Sequence, residues 1–274
     1  GYTKQSKVQL FPEEGKIVGW VNNGRQVPEN FKNYFVILFD QPFKAFGTWE
    51  NKNNTIREKS LSNEGDGVGA YIQFEKGVKV QAKIASSYIS IEQAEVTMQT
   101  ELGAFKQLEE TKASAQKIWN DHLGRIAVEG GTEEEMATFY SCFFRASLFS
   151  RKFYEIDKDG NPVYYSPYDG KIHQGYMYTD TGFWDTFRAQ FPLSTILHPT
   201  MQGRYMQALL DAYDQCGWLP SWSFPGEAGS MIGNHAISLL ADAWVNGIRT
   251  FDPEKALKAY SREANNKGPW GSAN

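Results

Sequence analysis

Residues 78–98 read VKVQAKIASSYISIEQAEVTM, and the spacing of their apolar residues changes at Ser90. Before Ser90, apolar and polar residues alternate, which is the period of a strand with one solvent-exposed face. After Ser90, apolar residues recur at helical spacing, and Ser90-x-x-Gln93 has the form of a capping box. The stretch therefore predicts a β-domain that gives way to helices after Ser90.

The residues before this change predict an antiparallel β-sandwich. Short runs rich in β-branched and aromatic residues are separated by turn signals such as Asn22-Asn23-Gly24. Glu75-Lys76-Gly77 separates the last two runs and predicts a hairpin between them. Several short strands in this arrangement are typical of a sandwich. The predicted strands cover residues 8–11, 16–21, 34–39, 44–49, 69–74 and 78–84.

Helical signals dominate the rest of the chain. Gly103 interrupts the first helical stretch, which indicates two helices, and Thr132-x-x-Glu135 is a second capping box. Asp252-Pro253 places an N-cap before a proline at the first helical position. Further helices are predicted over residues 200–216 and 234–246. The prediction is an α+β multidomain chain: part of an antiparallel β-sandwich at 1–89, a helical linker at 90–130, and helices joined by aromatic loops at 131–274.

The composition excludes several functional classes. Lys and Arg (28) do not exceed Asp and Glu (32), and no basic cluster is present, which argues against a nucleic-acid partner. No apolar run is long enough to predict a membrane span. Cys142 and Cys216 show no metal-binding spacing, and we expect both to be buried thiols. Aromatic residues make up 15% of the chain, which suits sugar stacking and a large apolar core equally well.

Two segments carry polar groups among aromatic residues. In residues 179–188, TDTGFWDTFR, Asp185 follows Trp184 and Arg188 lies three residues further on. A carboxylate accepts hydrogen bonds from sugar hydroxyls and a guanidinium donates them in a fixed fork. The alternative is a helix cap with an i,i+3 ion pair, which contributes only about 0.2–0.5 kcal/mol.

The second segment, residues 217–235, reads GWLPSWSFPGEAGSMIGNH. Its prolines and tryptophans predict a rigid loop, and Trp222 could form one wall of a binding site. His235 begins a predicted helix, where a capping or core role is the alternative to ligand binding. Glu227 is the loop's carboxylate, and a solvated position is the simplest expectation for it. Motifs for nucleotide, serine-hydrolase or zinc-protease chemistry are absent from the sequence.

Taken in order, several motifs resemble glycoside hydrolase family 92, the bacterial exo-acting α-mannosidases, many of which are α-1,2-specific. The resemblance covers nearly the whole chain and is weakest before Tyr34. It implies a β-sandwich followed by an (α/α)6 barrel, of which residues 131–274 would form the first half. The motifs lie at residues 179–188, 217–222, 231–235, 241–243 and 247–248.

The resemblance also implies roles for particular residues. Trp184 and Asp185 would belong to the subsite for the terminal mannose, and Arg188 would orient Asp185 or bind the sugar. Trp222 would supply an aromatic wall, and His235 would lie near the same pocket. The family hydrolyses α-linked mannose of N-glycans or mannan with inversion and with the help of Ca²⁺.

The motifs that hold the family's general acid, its base and most calcium ligands have no counterpart in this sequence. We therefore assign no catalytic residue and no metal ligand, and we expect an internal fragment that is inactive by itself. The resemblance to this family implies export to the periplasm or the cell surface. Two alternatives remain open at this stage: another (α/α)6 glycosidase, such as a glucoamylase-like or trehalase-like enzyme, and a carbohydrate-binding protein that cleaves nothing. A purely structural role is a third reading.

Overall fold

The computed structural model describes residues 5–24, 26–105, 107–231 and 233–268. The ends of the predicted domains (1–4 and 269–274) and Ile232 of the second aromatic segment lie outside these residues. The chain divides into two units. The first takes in the described residues of Gly1–Arg25, Glu29–Ala115 and Glu155–Pro162, and the second takes in Gln26–Pro28, Gln116–Tyr154 and the described residues from Val163 onwards.

The first unit contains two antiparallel sheets, which agrees with the predicted sandwich. A five-stranded sheet has the order β6-β1-β2-β3-β8, and a three-stranded sheet has the order β5-β4-β7. The strands are β1 (Gln5–Phe11), β2 (Lys16–Asn22), β3 (Asn33–Phe39), β4 (Ala45–Glu50), β5 (Thr55–Glu58), β6 (Ser62–Gly65), β7 (Val68–Gln73) and β8 (Ala82–Ser87).

Apolar side chains cover both faces of the larger sheet. Val8, Leu10 and Ile17 are buried in a cluster that also includes apolar residues of the smaller sheet. Val18 and Val36 are buried on the opposite face, against the first helix of the chain. Alternation along each strand thus supplies one row of side chains to each layer.

The predicted hairpin at Glu75–Gly77 is wrong. The turn forms, but the strands on either side of it belong to different sheets, because β7 pairs with β4 and β8 pairs with β3. The exposed face of β8 is also the opposite of the one expected: Ala85 and Ser87 are buried, whereas Ile84 is 61% exposed. Local alternation identifies a strand but does not reveal its partner, and a helix covers the face that carries Ala85.

Helices begin where the sequence predicts. α1 (Ile91–Leu102) starts at Ser90, whose hydroxyl accepts the Gln93 N–H, and α2 (Leu108–Leu123) follows after a break. The capping box at Ser90 is only half formed, because the Gln93 amide donates to the Ile156 carbonyl instead. α3 (Glu133–Ala146) has both arms of its capping box, between Thr132 and Glu135.

The second unit combines these later helices with short strands that the sequence does not reveal. The short strands that follow α3 along the chain are β9 (Arg151–Lys152), β10 (Glu155–Ile156), β11 (Pro162–Tyr165), β12 (Ile172–Gln174), β13 (Tyr178–Thr179), β14 (Thr181–Gly182) and β15 (Trp222–Ser223). Of these, β10 belongs to the first unit. The remaining helices are α4 (Phe183–Thr186), α5 (Gln190–Leu197), α6 (Pro199–Cys216), α7 (His235–Val245) and α8 (Pro253–Asn265).

The helices α6, α7 and α8 each contribute buried residues to this unit. α6 ends at Gly217, which adopts a left-handed conformation (φ 82°), and Asp252 caps α8, as predicted. Most of the buried residues of α6 and α7 are apolar. The prediction of buried thiols is wrong for Cys142, which is exposed on α3, while Cys216 is half-buried.

Candidate functional site

A two-stranded bridge brings the two aromatic segments together. Strands β14 and β15 pair antiparallel, with Gly182 opposite Trp222 and Thr181 opposite Ser223. The short helix α4 begins directly after Gly182. Residues that are about forty positions apart in the sequence therefore lie side by side at the start of α4.

Gly182 leaves the space in which two of the predicted binding residues meet. A methyl group placed on its Cα would lie 2.5 Å from Asp185 Oδ2 and 2.8 Å from Trp222 Cη2. Its φ of −88° is accessible to any residue, so glycine is required here for space and not for backbone freedom. The Asp185 carboxylate and the Trp222 indole consequently pack against the same point of the backbone.

His235 lies between aromatic rings at the first position of α7. Its ring stacks on Phe187, with centroids 4.3 Å apart, and lies 5.5 Å from the Trp184 ring. Burial, followed by the nearby positive charge of Arg188, lowers the pKa of His235. Its Nε2 is buried and has no hydrogen-bond partner among the described residues. The imidazole is thus favoured in its neutral form, with one ring nitrogen free.

Arg188 completes the cluster without pairing with Asp185. Its guanidinium lies over the Phe187 ring, 4.8 Å from the centroid. Within the described chain, neither Asp185 nor Arg188 takes part in an ion pair, so the alternative of an i,i+3 pair is not realised. Both side chains are exposed, and the Trp184 ring is 40% exposed beside them. We call Trp184, Asp185, Arg188, Trp222 and His235 the aromatic site.

Hydroxyl groups of the buried Thr181 and Tyr205 and of the half-buried Ser150 hold β14 in place beside this site. Tyr205 donates to Thr181 Oγ1 at 2.9 Å, and Ser150 Oγ hydrogen-bonds with both of them. Burial raises the pKa of Tyr205 to about 12, so it remains a neutral donor. This network fixes the residue that precedes Gly182, and nothing in the sequence spacing indicates it.

Glu227 is buried, which contradicts the expectation of a solvated position. Only 7% of the residue is exposed, and its carboxylate accepts hydrogen bonds from residues of its own loop. Glu263 of α8 is a second buried carboxylate, and it accepts from the Leu219 N–H (2.9 Å) and the Asn234 side chain (2.6 Å) at the two ends of the same loop. Burial raises the pKa of Glu263. Sequence reasoning missed it because α8 lies far along the chain.

A second cluster of aromatic residues and histidines lines a cavity of ≈430 Å³ elsewhere in this unit. The His122 and His198 rings stack with centroids 4.9 Å apart, and Arg125 lies near both. Trp119 and Phe143 pack against His122. None of the described lining residues is an Asp or Glu. We call this the histidine cavity.

The described residues hold neither a cluster of metal-ligating side chains nor a membrane-spanning helix. They contain no group of three or more His, Cys, Asp or Glu side chains able to hold a metal ion. The donor set around Asp185 therefore does not fit a calcium site by itself. No helix in the described part of the chain has the length and apolar character to cross a bilayer.

Comparison with known structures finds close relatives of the whole fold. The inverting mannosidase BT2199 of family GH92 from Bacteroides thetaiotaomicron VPI-5482 is 44% identical over 98% of this chain, with a TM-score of 0.93. The GH92 α-mannosidase BT3965 from Bacteroides thetaiotaomicron is 26% identical over 97% of the chain (TM-score 0.85), and it is also known in complex with mannoimidazole. This chain spans 36–37% of the length of those proteins.

Family models match almost the entire sequence. The glycosyl hydrolase family 92 N-terminal domain matches residues 1–87, and the family's catalytic domain matches residues 93–273. No curated protein matched the chain. The β-sandwich, the helices that follow it and both family models agree with the resemblance that the motifs indicate: the chain belongs to glycosyl hydrolase family 92.

Proposed function

We propose that this chain supplies the terminal-mannose subsite of an inverting exo-α-mannosidase. The observation that carries the proposal is the exposed side chain of Asp185, which pairs with none of the described residues and lies beside the Trp222 indole, with Gly182 leaving room for both. The names of the related structures support it, since one is an inverting mannosidase and another binds mannoimidazole.

Each residue of the aromatic site has a role that its surroundings allow. Asp185 accepts hydrogen bonds from sugar hydroxyls, because none of the described side chains occupies its oxygens. Trp222 and Trp184 offer ring faces to the C–H face of the sugar. Arg188 donates from a fixed fork, and the free Nε2 of His235 is a further hydrogen-bonding position.

The aromatic site binds sugar in this proposal, and the acid and base belong elsewhere. Inversion requires two carboxyl groups about 6.5–9.5 Å apart, with room between them for the sugar and a water molecule. Asp185 binds the sugar in this proposal, and Glu227 already accepts four hydrogen bonds from its own loop, so neither carboxylate is assigned to proton transfer. We therefore propose that the chain by itself does not hydrolyse mannosides.

Calcium dependence, the natural substrate and the compartment are proposed from family membership alone. The described residues contain no group of three or more metal-ligating side chains, so the calcium ligands are proposed to lie outside them. We propose terminal α-linked mannose of N-glycans or mannan as the substrate, and the periplasm or the cell surface as the location. Loss of activity in a chelator, with recovery on adding Ca²⁺, is the test of the calcium requirement.

The decisive experiment uses a chain extended to the length of its relatives, supplied with Ca²⁺, and a panel of α-linked disaccharides of mannose and glucose. We expect mannose to be released as the β-anomer, which NMR detects within the first minutes. Release of glucose alone would support another (α/α)6 glycosidase. Mannoside binding without any release would support a carbohydrate-binding protein, and either outcome would overturn the proposal.

A further inference from the structure

The loop between α6 and α7, residues 217–234, is organised around one carboxylate. Glu227 Oε2 accepts the N–H groups of Ser221 (2.6 Å) and Trp222 (3.3 Å), and Oε1 accepts the Ser221 hydroxyl (2.7 Å) and the Gly229 N–H (2.8 Å). Three of these four donors are backbone groups. Glu227 therefore fixes the course of the main chain on both sides of the loop's turn.

The rest of the loop is tied to the same unit by further hydrogen bonds. The Thr179 hydroxyl donates to the Pro225 carbonyl at 2.6 Å, and the Gln26 amide donates to the Ala228 carbonyl at 2.6 Å. The Ala228 N–H closes the turn on the Trp222 carbonyl at 2.8 Å. The Trp222 backbone is thus held by the Ala228 N–H and by its pairing with Gly182, and the Glu227 carboxylate adds a side-chain contact to the Trp222 N–H.

The position of Trp222 leaves little tolerance for movement. Its ring atoms lie 2.8 and 2.9 Å from the point that a Cβ on Gly182 would occupy, and Asp185 Oδ2 lies 2.5 Å from the same point. A shift of the Trp222 backbone would change the space between its indole and the Asp185 carboxylate. A binding site works only when such groups are held by a rigid supporting shell.

We propose that Glu227 is a positioning residue that holds the Trp222 indole in place beside Asp185 for the sugar. The inference rests on the proposed function of the aromatic site, because it assigns Glu227 a role through Trp222. The Glu227 side chain is buried and accepts hydrogen bonds from other residues of its own loop. It need not touch the sugar to fulfil this role.

The substitution Glu227→Gln tests the inference with almost no change in volume. A glutamine keeps one acceptor oxygen, and its NH₂ group replaces the other. In one orientation the NH₂ faces the N–H groups of Ser221 and Trp222, and in the other it faces the N–H of Gly229. Donor therefore meets donor in both orientations, at Ser221 and Trp222 in the first and at Gly229 in the second. Because the Ala228 N–H beside Gly229 bonds to the Trp222 carbonyl, either conflict disturbs the backbone at Trp222.

The experiment measures mannoimidazole affinity and the fluorine NMR spectrum of chains labelled with 5-fluorotryptophan. We expect E227Q to weaken binding by about tenfold, since hydrogen bonds to a charged group are lost, and to shift the Trp222 resonance, which W222A identifies. In the W222A background, E227Q should cause no further loss of affinity. Glu155, a half-buried glutamate of the first unit that accepts the Tyr88 N–H, provides the control E155Q, which should leave affinity unchanged.

Each outcome decides between the two proposals. An unchanged Trp222 resonance in E227Q, or an equal loss of affinity with and without the Trp222 indole, would overturn the positioning role. Wild-type affinity in W222A would instead overturn the sugar-binding role of Trp222, and the resonance shift would still report whether Glu227 positions it. If E227Q does not fold, S221A provides a milder test. Ser221 donates to Glu227 through its N–H and its hydroxyl, and S221A deletes only the hydroxyl donor. This variant should shift the Trp222 resonance by a smaller amount.

Discussion

The aromatic site and the histidine cavity contain the same kinds of side chain, except that only the aromatic site includes a carboxylate among the described residues. Each has histidine beside aromatic rings, a nearby arginine and a buried imidazole Nε2 without a partner among the described residues, on His235 and His198 respectively. In both, burial is the first cause that lowers the histidine pKa. The aromatic site has the exposed carboxylate of Asp185, whereas the described lining of the cavity has no carboxylate.

This difference separates a site that suits a sugar from a space that suits packing. Stacked rings and a neutral imidazole also occur in apolar cores, where each aromatic pair contributes about 0.5–1.5 kcal/mol to stability. An exposed carboxylate held next to an indole has no such packing function. Histidine and aromatic content therefore do not distinguish the two places, and the proposal depends on Asp185, which pairs with none of the described residues.

The largest effect is expected from removing this acid. D185N should weaken mannoimidazole binding by about 10–100-fold, because a charged acceptor for sugar hydroxyls is lost. Isothermal titration measures the affinity. Asp180, which pairs with Arg151 at 2.9 Å, provides the matched control D180N on the same segment. Equal losses in the two variants would contradict the special role of Asp185.

The space at Gly182 should be the next most sensitive feature. G182A places a methyl group against both Asp185 and Trp222, and overpacking of this kind costs about 1–3 kcal/mol. We expect affinity to fall by about tenfold while the fold is retained, because φ is −88°. Titration together with a thermal melt checks this, and wild-type affinity in G182A would show that the two side chains do not meet there.

The histidines should separate binding from stability. H235Q is expected to weaken mannoimidazole binding several-fold, since a ring contact with Phe187 and a free nitrogen beside the sugar site are lost. H198Q removes the stack on His122 and should lower the melting temperature while leaving affinity unchanged. A loss of affinity in H198Q that matched that of H235Q would place the ligand in the histidine cavity.

The smallest effect concerns pH. His122, His198 and His235 have pKa values below 6.5 in the folded chain, so folding excludes protons from them. Above pH 6.5 these histidines are neutral in both states and do not change the free energy of unfolding. Below pH 6.5 the unfolded chain binds more protons, so the free energy of unfolding falls as the pH drops through the folded pKa values. The double variant H122Q/H198Q should therefore lose less stability on acidification than H235Q does. Urea unfolding at a series of pH values measures this, and identical pH slopes would refute it.

The sequence predicts local structure well where a single residue decides it. Ser90, Thr132 and Asp252 cap helices as expected, because a cap depends on neighbours within one turn. The pairing of β7 and β8 was predicted wrongly, because the partner of a strand is set by packing between sheets. The sequence does not predict helix α5 (Gln190–Leu197), which lies between the two aromatic segments.

The same distinction holds for the candidate site. The motifs predict which residues belong together, and the structure brings Trp184, Asp185, Arg188, Trp222 and His235 to one place. Their roles toward a sugar remain predictions. Glu227 could not be interpreted from the sequence, because its four donors become neighbours only when the loop closes.

The most direct test of the central claim is a crystal structure of the chain with mannoimidazole bound. Our account predicts the sugar ring beside the Asp185 carboxylate, with at least one hydroxyl within hydrogen-bond distance of it and the Trp222 indole against the ring. Mannoimidazole bound in the histidine cavity, or bound with no contact to Asp185, would contradict the account.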